Sequence, residues 1–147
     1  MSTGLAVRLL EDLARYLPDE ALASLSPSTS LPAVALADRA VRQLAPSILE
    51  RLGAGEAAQR VRVLPALTGS DTARATMPAL ERIARATNAP PDPIRAAAQC
   101  AGALLRLDAP GGEEPGAMQL VAAVTRLVNS AVRAGVPPAD AVRAVAG

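Results

Sequence analysis

Few residues in this sequence could do chemistry, because His and Lys are both absent. Their absence removes the commonest general base, the lysine of phosphate-binding loops, Schiff-base catalysis and the usual zinc ligand sets. Cys100 is the single thiol, has no His partner and lies among alanines. A thiol in that setting is typical of a buried, unreactive side chain. The sequence therefore predicts that the protein is not an enzyme and binds no cofactor.

The carboxylates include three adjacent pairs, and none of them predicts a metal site. Glu11/Asp12 is expected on a solvated helix face, and Asp19/Glu20 in a first helical turn, where the helix dipole favours acids. Glu113/Glu114 is expected in a loop, where weak cation binding is the alternative interpretation. Two glycine stretches, 53–55 and 111–112, are too short for a phosphate-binding loop and are interpreted as helix breaks.

Arginine supplies the positive side-chain charge, and the central arginines form the candidate binding surface. Residues 38–95 contain nine Arg against six acids, in a chain whose net charge is +1. A mixed solvated surface is the default interpretation, and a face for an acidic ligand or nucleic acid is the alternative. Nucleic acid is not expected as a partner, because Lys is missing and stacking aromatics are scarce. The candidate surface consists of Arg42, Arg60, Arg62, Arg82, Arg85 and Arg95.

The apolar residues suffice for a core, but that core has to be built almost without aromatic side chains. The 147 residues include one Tyr and neither Phe nor Trp, so Leu, Val and Ala must fill the interior. Such small and aliphatic residues favour close helix–helix packing. Ala, Gly, Pro and Arg are abundant, Lys and Phe are missing, and Ile, Asn, Tyr and Met are scarce. This composition indicates a GC-rich bacterial genome. One domain, residues 1–147, is expected at this length.

Helical periodicity recurs along the chain between Gly and Pro turns, and no strand pattern interrupts it. Arg8–Asp12 is expected as an (i, i+4) pair on the first helix. Pro46 predicts a kink or break near 42–45. Ser70 is expected as an N-cap, with Pro78 delaying the helix proper to about 76–77. Helices are predicted over 4–17, 19–25, 32–52, 55–64, 71–87, 94–107, 117–134 and 137–145.

The predicted fold class is therefore all-α, with about seven or eight helices in antiparallel hairpins. The helices form either a compact bundle or a short solenoid. Loops are expected near 26–30 and 108–116, where Ser, Pro and Gly accumulate. The helix over 117–134 is apolar around more than half of its circumference, which predicts a central position.

Residues 76–107 form the best-defined hairpin. Met77-Pro78 opens its first helix, and Asp92-Pro93-Ile94-Arg95 leads into an Ala-rich second helix that ends at Leu104-Leu105. This segment resembles one HEAT-type helical repeat. The resemblance implies a HEAT-like stack of helices and a binding scaffold without chemistry of its own. No functional residue of that family carries over.

Location and partners follow from the same features. Charged residues interrupt the N-terminal stretch where a signal peptide needs an apolar run, and the single Cys fits a reducing compartment. We expect a cytoplasmic protein without a transmembrane segment. Its expected function is a non-catalytic protein–protein interaction module: a small adaptor, scaffold or assembly subunit with a protein partner, self-association, or both. The alternatives are binding of an acidic ligand or nucleic acid through the central arginines, and coating of a lipid or polymer surface.

Overall fold

The computed structural model describes the backbone of residues 2–147 and the side chains of residues 4–147; Met1, which the predicted domain included, lies outside the described residues. Within that range the chain is helical and contains no strand, which confirms the predicted all-α fold class. A short 3-10 turn, Ala21–Ser24, follows the first helix. The seven helices are α1 (Ser2–Leu13), α2 (33–51, comprising Ala33–Arg39, Ala40–Leu44 and Ala45–Arg51), α3 (Gly55–Arg62), α4 (Ser70–Thr87), α5 (Pro91–Asp108), α6 (Glu113–Arg133) and α7 (Pro138–Ala146).

Helix α6 lies at the centre of a core made of Leu, Val and Ala side chains. It contacts α1, α2, α5 and α7. Its inward side chains Leu120, Val124 and Leu127 are completely buried. A helix that packs on several sides needs apolar residues around most of its circumference, so the central position predicted for this helix is confirmed.

The helices close into a bundle. Two contacts show that α4, α5 and α6 are antiparallel neighbours. The Ser70 hydroxyl at the start of α4 donates to Asp108 at the end of α5, and Gly116 at the start of α6 lies against Leu107 at the end of α5. In addition, α1 packs on α6, and α7 packs on α2. The units of a solenoid contact only their neighbours in sequence. Here, helices that are distant in sequence are in contact. Of the two predicted arrangements, the structure is therefore the compact bundle.

Helix α2 consists of two α-helical stretches joined by a π-helical turn, Ala40–Leu44. In this turn the Ala45 N–H donates to the Ala40 carbonyl, five residues back. Pro46 follows directly; it has no N–H, and in a regular helix its ring clashes with the carbonyl four residues earlier. The wider turn accommodates the proline. The disturbance predicted near 42–45 is thus a π turn, and α2 continues to Arg51.

The early helix boundaries differ from the prediction. α1 ends at Leu13, and the helix predicted over 19–25 is only the 3-10 turn. α4 begins at Ser70, because Pro78 removes one backbone bond on the exposed side without breaking the helix. Ser70 is not the N-cap. Thr72 satisfies the backbone there instead: its Oγ1 accepts from the N–H groups of Thr68 (2.8 Å) and Gly69 (3.2 Å).

The connection between α5 and α6 is shorter than the predicted loop 108–116. α6 already begins at Glu113, so only residues 109–112 connect the two helices. Pro115 fits the first turn of a helix, where a backbone N–H would have no intrahelical partner. A Cβ on Gly116 would lie 2.7 Å from the backbone nitrogen of Leu107. Glycine is therefore required where α6 passes the end of α5.

Two arginines of α2 bind the carboxyl-terminal part of the chain. Arg39 Nη1 donates to the Val145 carbonyl at 2.7 Å. Arg51 Nη1 donates to the Gly135 carbonyl at 3.0 Å. Both acceptors lie at or just beyond a helix end, where carbonyls lack intrahelical partners. These bonds connect α2 to the ends of α6 and α7.

Candidate interaction surfaces

Arg42, the first of the six predicted surface arginines, is part of a structural ion pair. Its Nε and Nη2 donate to the two carboxylate oxygens of Asp38 at 2.6 and 2.9 Å. Asp38 also accepts from the Leu67 N–H at 2.9 Å. Burial alone would raise the pKa of Asp38, but the hydrogen bonds from Arg42 and Leu67, with the charges of Arg42 and Arg39, hold it below the usual value. Asp38 thus joins α2 to the connector, residues 63–69, which runs from α3 to α4.

Three further predicted arginines have carboxylate partners. Arg60 Nη2 lies 2.9 Å from Glu56 Oε1, and Arg95 Nη1 lies 3.7 Å from Asp92 Oδ1. Arg62 pairs with Glu50, and its hydrogen bond lowers the pKa of that carboxyl. An exposed pair of this kind contributes little stability, but it reduces the charge available to a ligand.

Arg82 and Arg85 differ from the other four. Both are exposed on the outer face of α4. Within the described residues, neither has a carboxylate oxygen within 4.0 Å. The six arginines are therefore distributed over α2, α3, α4 and α5, and four of them are paired. The basic surface that they were predicted to form stays a prediction.

A cleft of about 320 Å³ lies where α1 meets the start of α6. Arg8 and Glu114 form an ion pair in its lining, so Arg8 does not make the predicted (i, i+4) pair with Asp12. The hydrogen bond with Glu114 raises the pKa of Arg8. Arg8 Nη1 is buried without a hydrogen-bond partner among the described residues. The floor is apolar, with Leu5, Leu31 and Leu107 in the lining.

A second cleft, of about 150 Å³, lies between the start of α5 and the carboxyl-terminal half of α6. Its lining includes Arg126, Asn129, Ser130 and Arg133. The sequence prediction did not identify these residues, because it treated this helix only as an apolar core element. Their spacing of i, i+3, i+4 and i+7 places them on one helical face. A polar face on the most apolar helix was the signal that could have identified them.

Two of the four large apolar side chains that are exposed in the described residues directly follow α2 and α3. Val63 is 71% exposed and Leu52 is 48% exposed. Pro65 and Ala66 are also exposed. We call Leu52 and residues 63–66 the apolar patch. The Arg62–Glu50 ion pair connects the ends of α2 and α3; Val63 follows Arg62, and Leu52 comes two residues after Glu50.

Cys100 is buried, as predicted. Burial raises the pKa of its thiol to about 12, so the thiolate is scarce at neutral pH. Within residues 4–147, no group of three or more His, Cys, Asp or Glu side chains is arranged to hold a metal ion. No described helix combines the length and the apolar character that a membrane span requires.

No family model matches the chain, and no curated protein or solved structure matches it either. The resemblance of residues 76–107 to a single HEAT-type repeat therefore stays a prediction.

Proposed function

We propose that this protein is a non-catalytic interaction module that binds another protein chain through the apolar patch. The observation that carries the proposal is the exposure of Val63 and Leu52, with 71% and 48% of their surfaces open to solvent. Single exposed apolar residues are common. Here two of them, with the exposed Pro65 and Ala66, lie within four residues or fewer of the Arg62–Glu50 ion pair in sequence.

The surroundings of the patch support this proposal. The Arg62–Glu50 and Arg60–Glu56 pairs provide a charged border beside the exposed aliphatic side chains. Protein interfaces commonly combine an apolar centre with a polar rim. Each aliphatic side chain that a partner buries contributes roughly 25 cal/mol per Å² of covered surface.

Anchoring of the connector also supports the proposal. Leu67 is buried, and its N–H donates to Asp38. Residues 63–66 are thus held between the end of α3 and a fixed point on α2. A surface held in place before binding loses less conformational entropy when a partner arrives.

Binding of an acidic ligand through the central arginines is less well supported. Arg42 is committed to Asp38, and Arg60 and Arg62 have carboxylate partners. Only the outer face of α4 presents predicted arginines, Arg82 and Arg85, without a carboxylate within 4.0 Å in the described residues.

Light scattering and affinity capture with a matched pair of double variants test the proposal. We expect the wild-type chain to self-associate or to retain a protein partner, and the Leu52→Ser/Val63→Ser variant to lose that complex while keeping its helical circular dichroism. Tyr16→Ser/Met118→Ser, which alters two exposed side chains outside the patch, should keep the complex. A wild-type chain that is strictly monomeric and retains no protein would refute the proposal, as would equal loss in both variants.

A further inference from the structure

One face of α6 carries an unusual set of polar side chains for a central helix. Arg126, Asn129, Ser130 and Arg133 all line the cleft next to the first turn of α5. At a rise of about 1.5 Å per residue, the two arginines are separated by roughly 10 Å along the helix axis. The amide and the hydroxyl lie between them. Two long guanidinium side chains can therefore converge on one group bound above Asn129 and Ser130.

The positive charge of this cleft is only partly offset by acids in its lining. Arg126 Nη1 donates to the neutral Gln99 Oε1 at 2.6 Å. In the part of the chain that the structure describes, neither Arg126 nor Arg133 has a carboxylate oxygen within 4.0 Å. Asp92 is the one carboxylate in the described lining, and Arg95 lies 3.7 Å from it. Positive charge thus exceeds negative charge at the cleft.

Helix stabilisation explains only part of this arrangement. Arg133 is in the last turn of α6, where a cation interacts favourably with the helix dipole. Arg126 lies two turns earlier, beyond the range of that effect. The dipole also gives no reason for the neighbouring amide and hydroxyl. A small anionic ligand would use all four side chains as hydrogen-bond donors.

We propose that this cleft binds a phosphate group, supplied either by inorganic phosphate or by a small phosphate monoester. Arg126 and Arg133 bind its oxygens with charge-assisted hydrogen bonds, and Ser130 and Asn129 supply neutral donors. The volume of about 150 Å³ suits a single phosphate group. It is smaller than the roughly 300–1,000 Å³ typical of pockets for larger organic ligands. This site is separate from the apolar patch and does not depend on it.

Titration of the full chain with inorganic phosphate and, separately, with O-phosphoserine tests the site by amide NMR at low ionic strength. We expect saturable shifts at the carboxyl-terminal half of α6 and the first turn of α5. Arg126→Gln and Arg133→Gln should each weaken binding about tenfold, as expected for loss of a charge-assisted hydrogen bond. Saturation by either probe supports the proposal, and their relative affinities identify the source of the phosphate group.

Two further variants distinguish a built site from general attraction of anions. Arg82→Gln removes an exposed arginine outside the cleft and should leave the affinity unchanged. Asp92→Asn removes the one lining carboxylate and should tighten binding several-fold, because its repulsion of the anion is lost. The proposal is overturned if wild type gives no saturable response up to about 10 mM of either probe, a concentration above weak millimolar dissociation constants. Equal weakening by Arg82→Gln and Arg126→Gln would also overturn it.

Discussion

The helices in the two halves of the chain differ in length and regularity. In residues 2–69, α1 has 12 residues, α3 has 8, and a π turn interrupts α2. In residues 70–147, the helices α4, α5 and α6 run for 18, 18 and 21 residues without such an interruption, and the final helix α7 is short, with 9 residues. The number of prolines does not explain this, because eight of the 13 are in the second half. Their surroundings explain part of it: Pro91 and Pro115 fall in first turns, which tolerate proline. Pro78 lies inside α4 but on its exposed side, whereas Pro46 is buried inside α2.

The difference between the halves extends to what each one exposes. Of the four large apolar side chains that are exposed in residues 4–147, three lie in the irregular half: Tyr16, Leu52 and Val63. That half depends on side-chain hydrogen bonds such as those of Asp38 to hold its connector. The regular half depends on close backbone approach, as at Gly116. The irregular half should therefore be sensitive to loss of a polar group, and the regular half to an added methyl group.

The largest effect is expected in the regular half, from Gly116→Ala. The new Cβ would lie 2.7 Å from the Leu107 nitrogen and 2.8 Å from Leu107 Cγ. We expect the free energy of unfolding to fall by about 3 kcal/mol, because α6 must move away from the end of α5. Urea denaturation followed by circular dichroism measures this change.

Gly102→Ala is the matched control on α5. Its Cβ would meet flexible side-chain atoms of Gln119 and Met77 at 3.5 and 3.6 Å, which are ordinary contact distances. This variant should be as stable as wild type or more stable by up to about 1 kcal/mol, because alanine favours a helix interior over glycine. Similar losses of stability from both substitutions would show that close backbone approach is not specific to the place where the start of α6 passes the end of α5.

A smaller effect is expected in the irregular half, from Asp38→Ala. The substitution leaves the Arg42 guanidinium and the Leu67 N–H without their acceptor. We expect a loss of about 2 kcal/mol of stability and faster hydrogen exchange at the Leu67 amide. As a control, Glu56→Ala removes an exposed (i, i+4) pair and should cost about 0.3–0.5 kcal/mol. If the control costs as much as Asp38→Ala, the connector is not held by Asp38.

The smallest effect is a pH dependence of the same contact. The folded-state pKa of Asp38 is lowered from the reference value of 3.8, against the effect of burial, by its hydrogen bonds to Arg42 and Leu67. Its contribution to stability is therefore complete above that value and is lost as the pH falls through the lower folded-state pKa. Denaturation of wild type and Asp38→Asn should show a stability difference that shrinks in this acidic range. A difference that stays constant there would contradict the lowered pKa.

Local patterns predicted the helices well, because apolar periodicity and proline positions act within a few residues. The π turn appeared where Pro46 indicated a disturbance, and the apolar circumference of α6 indicated its central position. The start of α6 was misjudged because Gly and Pro near 112–116 resemble a loop in composition. Once the end of α5 lies beside them, the same residues are what a closely packed helix start requires.

The polar contacts of the candidate sites could not be predicted in the same way. Arg8 has an acid four residues away in sequence but pairs with Glu114, and Arg42 is held by an aspartate that also binds the connector. Such choices depend on which helices meet in three dimensions. The Arg126–Arg133 face was visible as a pattern, but its position beside the first turn of α5 was not.

The contact of α1 with α6 has a consequence for synthesis of the chain. Arg8 and Glu114 are 106 residues apart in sequence. At a typical translation rate of about 5–20 residues per second, roughly 5 to 20 seconds pass between the synthesis of α1 and that of its partner. The apolar side chains of α1, including Leu9 and Leu13, cannot pack against α6 during that interval. During that time the apolar side chains of this segment have no α6 surface to cover them, so chaperones that act on emerging proteins can bind them until α6 is made.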